Sequence, residues 1–208
     1  MSPPAHNSLF PHAAHAEVHH RGLPQTEFTC AFSQEERSLL LRLAHDAIVS
    51  VLQSRNLCLE APTAHLAEAR GVFTSLYLRD ALRGCVGYVY PKSSVFRAVA
   101  ESARAAAFED NRFPPVTQEE AAGLEVELSI LSPPQPIQPE AIQIGQHGLL
   151  ISQNGRRGLL LPQVAVERHW GRTTFLRQTC QKAGLPADAW QSGASIQAFT
   201  AEIFDDKQ

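Results

Sequence analysis

In HGLLISQNGRRGLLL, residues 147–161, two apolar runs are separated by Asn154-Gly155, and that pair constrains the chain more than any other feature. Asparagine and glycine accept the positive φ that both centres of a type I′ turn require, and that turn has the twist of the strands it joins. A connection this short makes the two strands antiparallel, because a parallel pair needs a crossover of about a dozen residues. GVFTSLYL (71–78) and ALRGCVGYVY (81–90), rich in β-branched and aromatic residues and joined by Arg79-Asp80, read as a second hairpin. LEVELSILS (124–132) alternates Leu124, Val126, Leu128 and Ile130 with Glu125, Glu127 and Ser129, the pattern of a half-buried strand. SIQAFTAEIF (195–204) reads as one closing strand.

Helices fall between these strands. In SQEERSLLLRLAHDAIVSVLQS, Ser33 and Glu36 have capping-box spacing, and Leu39, Leu40, Leu43, Ala47 and Val51 recur at helical intervals. His45 and Asp46 sit on the flank of that helix and receive no functional role. Ser93 or Ser94 opens a helix to about Asp110 whose small-residue face, with Ala98, Ser102 and Ala106, permits close approach to a sheet. The prolines of NRFPPVT end it, and Pro133, Pro134, Pro136 and Pro139 read as a rigid connector. Helical segments follow at about 163–169 and 172–183, the second stopped by Gly184 and Pro186. Hairpins with helices interspersed, and no βαβ repeat, define an α+β fold with a mainly antiparallel sheet and flanking helices. Residues 1–25, with five of the nine histidines and little apolar periodicity, read as a mobile leader before a domain spanning 26–208.

Composition narrows the function. Eighteen Lys and Arg against 21 Asp and Glu give a formal charge of -3, so no global basic field argues for nucleic acid. No segment approaches the roughly 20 apolar residues of a membrane span, and nothing resembles a signal peptide, so the chain reads as cytoplasmic. Cys30, Cys58, Cys85 and Cys180 are too sparse for a disulfide framework and contain no CxxC pair, which predicts no metal site and no iron–sulfur cluster of the chain's own. The strand, Lys92-Ser93 and helix resemble a phosphate-binding loop only faintly, since Pro91 occupies the place of the required glycine. The GxSxG, HExxH and GxGxxG signatures are absent.

The chemical interest lies in ALRGCVGYVY. Residues two apart in an extended strand share a face, so Arg83 would stand beside Cys85 and favour its thiolate, with Lys92 and the following helix N-terminus adding to the effect. Gly84 and Gly87 bracket the cysteine as glycines do at a bulge or a close backbone approach. The block therefore has two readings, a reactive thiol or a tight structural turn on which cysteine fits. His147, between Gly145 and Gly148, is a second candidate for acid–base work or a turn histidine opening a hairpin. Asp110 and Arg112 follow a helix end, where arginine serves either terminal carbonyls or an anion, and Glu127 is a general acid or base or the solvent side of its strand. Cys180, near a helix C-terminus, is the weaker nucleophile.

LRGCVG, NRFPPV, VELSILSPP, IGQHGLLI, RGLLLPQVA and CQKAGLP occur in this order, and together they closely resemble the AMMECR domain family, whose bacterial branch is called AmmeMemoRadiSam system protein A. The resemblance covers about residues 33–205. The family's LRGCIG block stands as Leu82 to Gly87 with Val86 for isoleucine, and its DPRF pattern as Asp110 to Phe113 with Asn111 in place of the proline. The resemblance implies a larger domain built from both chain ends with a small inserted subdomain. It also implies a three-part system with a radical SAM enzyme and a Memo-like protein, with S-adenosylmethionine and an iron–sulfur cluster on a partner and no cofactor on this chain. Within it, Cys85, Arg83 and His147 become the expected catalytic groups, and Gly84, Gly87, Arg112 and Glu127 the expected ligand-binding ones.

Overall fold

The computed structural model describes residues 32–90 and 93–207. The leader expected over 1–25, Cys30, and the charge expected from Lys92 lie outside the described residues. Within them, the chain forms two four-stranded antiparallel sheets with helices against each.

The first sheet has the order β2-β1-β3-β8. Strands β1 (Gly71–Leu78) and β2 (Ala81–Tyr88) are joined by Arg79 and Asp80 at φ 54° and 63°, the positive values of a type I′ turn. Strand β3 (Leu124–Leu131) pairs with β1 on one side and β8 (Ala201–Asp205) on the other. Helix α1 (Gln34–Leu52), with the predicted Ser33–Glu36 capping box, and α2 (Val95–Phe108), capped by Ser94, cover one face. There Leu76, Val126, Leu128, Ile130 and Phe204 bury against Leu40, Ile48, Val99, Ala103 and Ala106. His45 Nε2 donates at 2.9 Å to Asp206 Oδ2, which also accepts the Val126 N–H at 2.7 Å, tying the segment after β8 to α1 and β3.

The second sheet, ordered β4-β7-β5-β6, occupies residues between β3 and β8. Its hairpin β5 (Gly148–Gln153) and β6 (Arg156–Leu160) turns at Asn154 and Gly155, with φ 52° and 78°. Helices α4 (Pro162–Glu167) and α5 (Arg172–Lys182) lie with it, and Leu149 and Ile151 pack with Phe175, Leu176 and Cys180. Leu150 points the other way and joins Phe199, Leu159, Phe73 and Leu131, which is where the two sheets meet. Burial on both faces is why the run GLLIS is apolar without alternation. The proline connector contributes a two-residue edge strand, β4 (Gln135–Pro136), paired with Ala198 and Gln197, a place where a missing N–H is tolerated.

The expected single closing strand is two. Ser195–Phe199 forms β7 in the second sheet, and the chain crosses at Thr200 into β8 of the first. The outgoing chain crosses at Ser132, directly alongside: its N–H donates to the Thr200 carbonyl at 3.0 Å and its Oγ accepts the Thr200 N–H at 2.9 Å. Both crossings are made at one point, so the second sheet and its helices form a unit inserted into the first.

Candidate functional site

The LRGCVG block lies inside β2 and is not a turn. Its pairing with β1 runs Tyr77 to Leu82 and then Leu76 to Gly84, which leaves Arg83 as the extra residue of a β-bulge. The bulge undoes the rule that residues two apart share a face. Arg83 is 8% exposed and turns toward α3 (Gln118–Ala121), where its Nε and Nη2 donate to Glu120 at 3.0 and 2.9 Å and Nη2 also reaches the Pro115 carbonyl at 3.3 Å. The bond from Arg83, then that from the Thr117 N–H, holds the Glu120 carboxyl below the usual range. Arg83 is therefore engaged by α3 and the loop before it and is not among the groups acting on the thiol, contrary to the sequence expectation.

Gly84 lies where β2 crosses α2. A Cβ there would stand 2.1 Å from the carbonyl oxygen of Ala106, so the small-residue helix face approaches the strand backbone itself. A Cβ on Gly87 would stand 2.4 Å from Cγ of Phe73, the ring that carries the junction between the sheets. Neither glycine has a left-handed φ. Close approach, and not a special backbone conformation, is what each position requires.

Cys85 is held from both sides of its backbone. Strand β2 is the sheet edge, and at Cys85 the N–H and C=O face outward: the N–H donates to Asp110 Oδ2 at 2.9 Å and the carbonyl accepts from Arg112 Nη2 at 3.2 Å. Asp110 and Arg112 pair with each other through Nε–Oδ1 at 2.9 Å and Nη2–Oδ2 at 2.7 Å. The carboxylate and guanidinium thus take the place of a neighbouring strand. This is the role of the Asp-x-Arg pattern, and Asn111 in place of proline does not prevent it. Burial opposes the Asp110 charge and is the largest single influence, but the bonds from Arg112 and Cys85 together outweigh it and hold the carboxyl below its ordinary range.

Facing outward toward the edge, Cys85 makes a non-hydrogen-bonded pair with Ser75 of β1, the closer kind of cross-strand pair. The Ser75 hydroxyl donates to Cys85 Sγ at 3.5 Å. Ser75 is in turn opposite Glu127 of β3, so thiol, hydroxyl and carboxylate form one row across three strands. Tyr77, one step along β1 on the same face, interacts with the Ser75 hydroxyl and is near Glu127. Ser75, Tyr77, Cys85, Glu125 and Glu127 are half-buried while Ser129 and Leu131 farther along are covered by the second sheet. The row is the half-buried part of that face. The second unit reaches over it: Glu167 of α4 acts on Tyr77, and Lys182 of α5 lies close enough to Arg112 for the two charges to interact.

Electrostatics keep the Cys85 thiol and the Tyr77 phenol protonated. Burial pushes the Cys85 thiol up; the Ser75 hydroxyl and Arg112 pull it down, Asp110 and Glu127 push it up, and the net direction is upward. Burial, Glu127 and Cys85 push the Tyr77 phenol well above its ordinary range. The expected low-pKa thiolate is therefore reversed in direction. Burial lowers the Lys182 ammonium, and Arg112 adds to the effect.

Of the expected site residues, the structure brings together Cys85, Arg112 and Glu127, with Gly84 and Gly87 shaping the strand. His147 bonds within its own turn, where Nδ1 accepts from the Gln143 N–H at 3.2 Å, and it is not among the groups acting on the thiol. Burial lowers its pKa. Ser75, Tyr77, Glu167 and Lys182 were not singled out in the sequence. Among the described residues no group of three His, Cys, Asp or Glu side chains is placed to hold a metal ion, and no helix is long and apolar enough to cross a membrane.

Two antiparallel sheets with flanking helices, sharing one crossing point, make this an α+β protein. The chain belongs to the AMMECR1 family, whose model matches residues 41–204. It is 41% identical over 186 residues to protein MK0488 of Methanopyrus kandleri, covering 84% of this chain and 90% of that one. A Methanosarcina acetivorans protein is 46% identical over 147 residues, covering 68% and 74%. The crystal structure of an uncharacterized protein, PH0010 from Pyrococcus horikoshii, superposes with a TM-score of 0.75 at 38% identity, over 85% of this chain and 94% of that one.

Proposed function

We propose that this protein is the substrate-handling subunit of a modification system and that the Cys85 thiol is the group that meets the substrate. The observation that carries the proposal is the double clamp on the Cys85 backbone, by Asp110 and Arg112, on a half-buried part of a sheet face. Fixing both backbone groups orients the sulfur, which a positioned reactive group needs, and leaves its side-chain bonding to the Ser75 hydroxyl beside it. The raised thiol pKa makes it a neutral S–H in the free protein, quiet until a substrate arrives. Its partners in this reading are a radical SAM enzyme and a Memo-like protein, the company that the family resemblance implies. S-adenosylmethionine and an iron–sulfur cluster then reside on a partner: Cys58 is exposed, Cys180 is buried in the α5 core, and Cys85 stands apart from both on β2.

Two measurements test this. Iodoacetamide alkylation of Cys85, followed against pH in the folded protein, is expected to rise with an inflection above the ordinary cysteine value of about 8.5; an inflection below it would contradict the electrostatics. In a system reconstituted with both partners, Cys85→Ala is expected to abolish modification while leaving the melting temperature near that of the wild type. Full activity of Cys85→Ala would end the thiol reading and leave the protein as a non-enzymatic adaptor.

A further inference from the structure

We propose that Ser75, Tyr77 and Glu127 are a proton relay for Cys85, carrying the thiol proton to the Glu127 carboxylate as the sulfur bonds to an electrophilic carbon of the substrate. This rests on the reading of Cys85 as the reacting thiol. The register carries it. Cys85, Ser75 and Glu127 are consecutive cross-strand partners on one face, and directly opposed side chains have Cβ atoms about 4.5–5.5 Å apart. Glu127 and Tyr77 are diagonal neighbours, a separation of about 7–8 Å that a tyrosine and a glutamate span. The Ser75 hydroxyl donates to Sγ at 3.5 Å and interacts with the Tyr77 phenol; being rotatable, it turns to accept the thiol proton as its own proton moves to Tyr77.

The step balances without an added redox partner. The sulfur lone pair forms the S–C bond and the S–H bond breaks, its proton going to the Ser75 oxygen. The Ser75 proton passes to Tyr77 and the Tyr77 proton to Glu127, while the electrophile's leaving group, or its unsaturated bond, takes up the displaced electron pair. A carboxylate is a weak base for a thiol raised above its ordinary value, so no thiolate accumulates beforehand and the transfer accompanies bond formation. Among the described residues, the other charged and titratable groups facing or acting on the row are Glu125, directly opposite Tyr77 on β3, Asp110 and Arg112 from the loop after α2, and Glu167 from α4, with Lys182 of α5 beyond Arg112.

A charge that merely faces the thiol and a relay predict opposite signs. With iodoacetamide as the probe and the full chain at neutral pH, the rate at the Cys85 peptide is read by mass spectrometry. Glu127→Gln is expected to slow alkylation by about tenfold or more, in keeping with general-base contributions. Tyr77→Phe, which removes no charge, is expected to slow it similarly. The double variant is then no slower than either single one, as coupled members of one path require. The wild type is expected to show a solvent deuterium isotope effect that both variants lose. Faster or unchanged alkylation in Glu127→Gln overturns the relay, as does an unchanged rate in Tyr77→Phe. These outcomes need no partner or substrate, so the relay can fail while Cys85→Ala still abolishes system activity, and the reverse.

Discussion

Gly84→Val is expected to leave no stable fold, and Gly84→Ala to lose on the order of 3 kcal/mol, the upper part of the usual range for overpacking. The first added carbon meets the Ala106 carbonyl oxygen at 2.1 Å, and the obstacle is helix backbone, which cannot rotate away as a side-chain end does. Relief requires α2 to lift from β2, exposing the Ala98, Val99, Ala103 and Ala106 stripe that fills the main core. Domain stabilities are about 5–15 kcal/mol in total, so a branched residue exceeds what the fold tolerates. Urea unfolding followed by far-UV circular dichroism measures the alanine variant, and soluble yield the valine one. Gly123→Ala is the control: its nearest atom is the flexible Leu78 Cδ1 at 3.4 Å, and the expected change is within about 0.5 kcal/mol. A Gly84→Ala protein as stable as the wild type would show that α2 is not seated on the strand.

Asp110→Ala is expected to cost about 2–4 kcal/mol, between the loss of one bond to a buried donor and the breaking of a buried ion pair. The Asp110 side chain is 5% exposed and its partner Arg112 43%, so water recovers more of the arginine's loss than of the part-buried Cys85 N–H's. The same substitution changes the thiol. With Asp110 gone, one charge that pushes the thiol up is removed and Arg112 is no longer offset, so Cys85 alkylation at neutral pH is expected to quicken, the opposite of the relay variants. Acid stability carries a second signature. The folded carboxyl ionises below the unfolded value of about 3.9, so its stabilisation is complete at neutral pH and lost as pH falls through the folded value. Asp110→Asn is expected to flatten the acid side of the stability curve, measured by urea midpoints across pH. An unchanged acid slope would show that the pair is not formed in solution.

Several features were legible because they depend on neighbours in sequence. Asn154-Gly155 and Arg79-Asp80 both adopt the positive φ values of their turn, and Ser33 and Glu36 make their capping box. The LEVELSILS alternation survives only through Leu128, since beyond it the second sheet covers the face that the polar residues occupy. SIQAFTAEIF looked like one strand because each half has strand character; nothing local marks Thr200 as the residue where the chain changes sheets. Of the residues singled out in the sequence, Cys85, Arg112 and Glu127 lie together in the structure. Arg83 was misplaced for one reason. An unbroken hairpin from the Arg79-Asp80 turn would set Thr74 opposite Cys85, whereas the bulge sets Ser75 there and turns Arg83 to Glu120.

By itself the sequence determined the fold class, the two hairpins, the capped helices and the family to which the chain belongs, all through short-range turn and capping chemistry, apolar periodicity and ordered motifs. The tertiary structure alone decided which groups surround Cys85. A one-residue bulge changes which side chains share a face, and the burial of a sulfur depends on elements distant in the chain. A thiol expected to be activated by Arg83 is instead a neutral S–H, clamped by Asp110 and Arg112 and set in a row with Ser75 and Glu127.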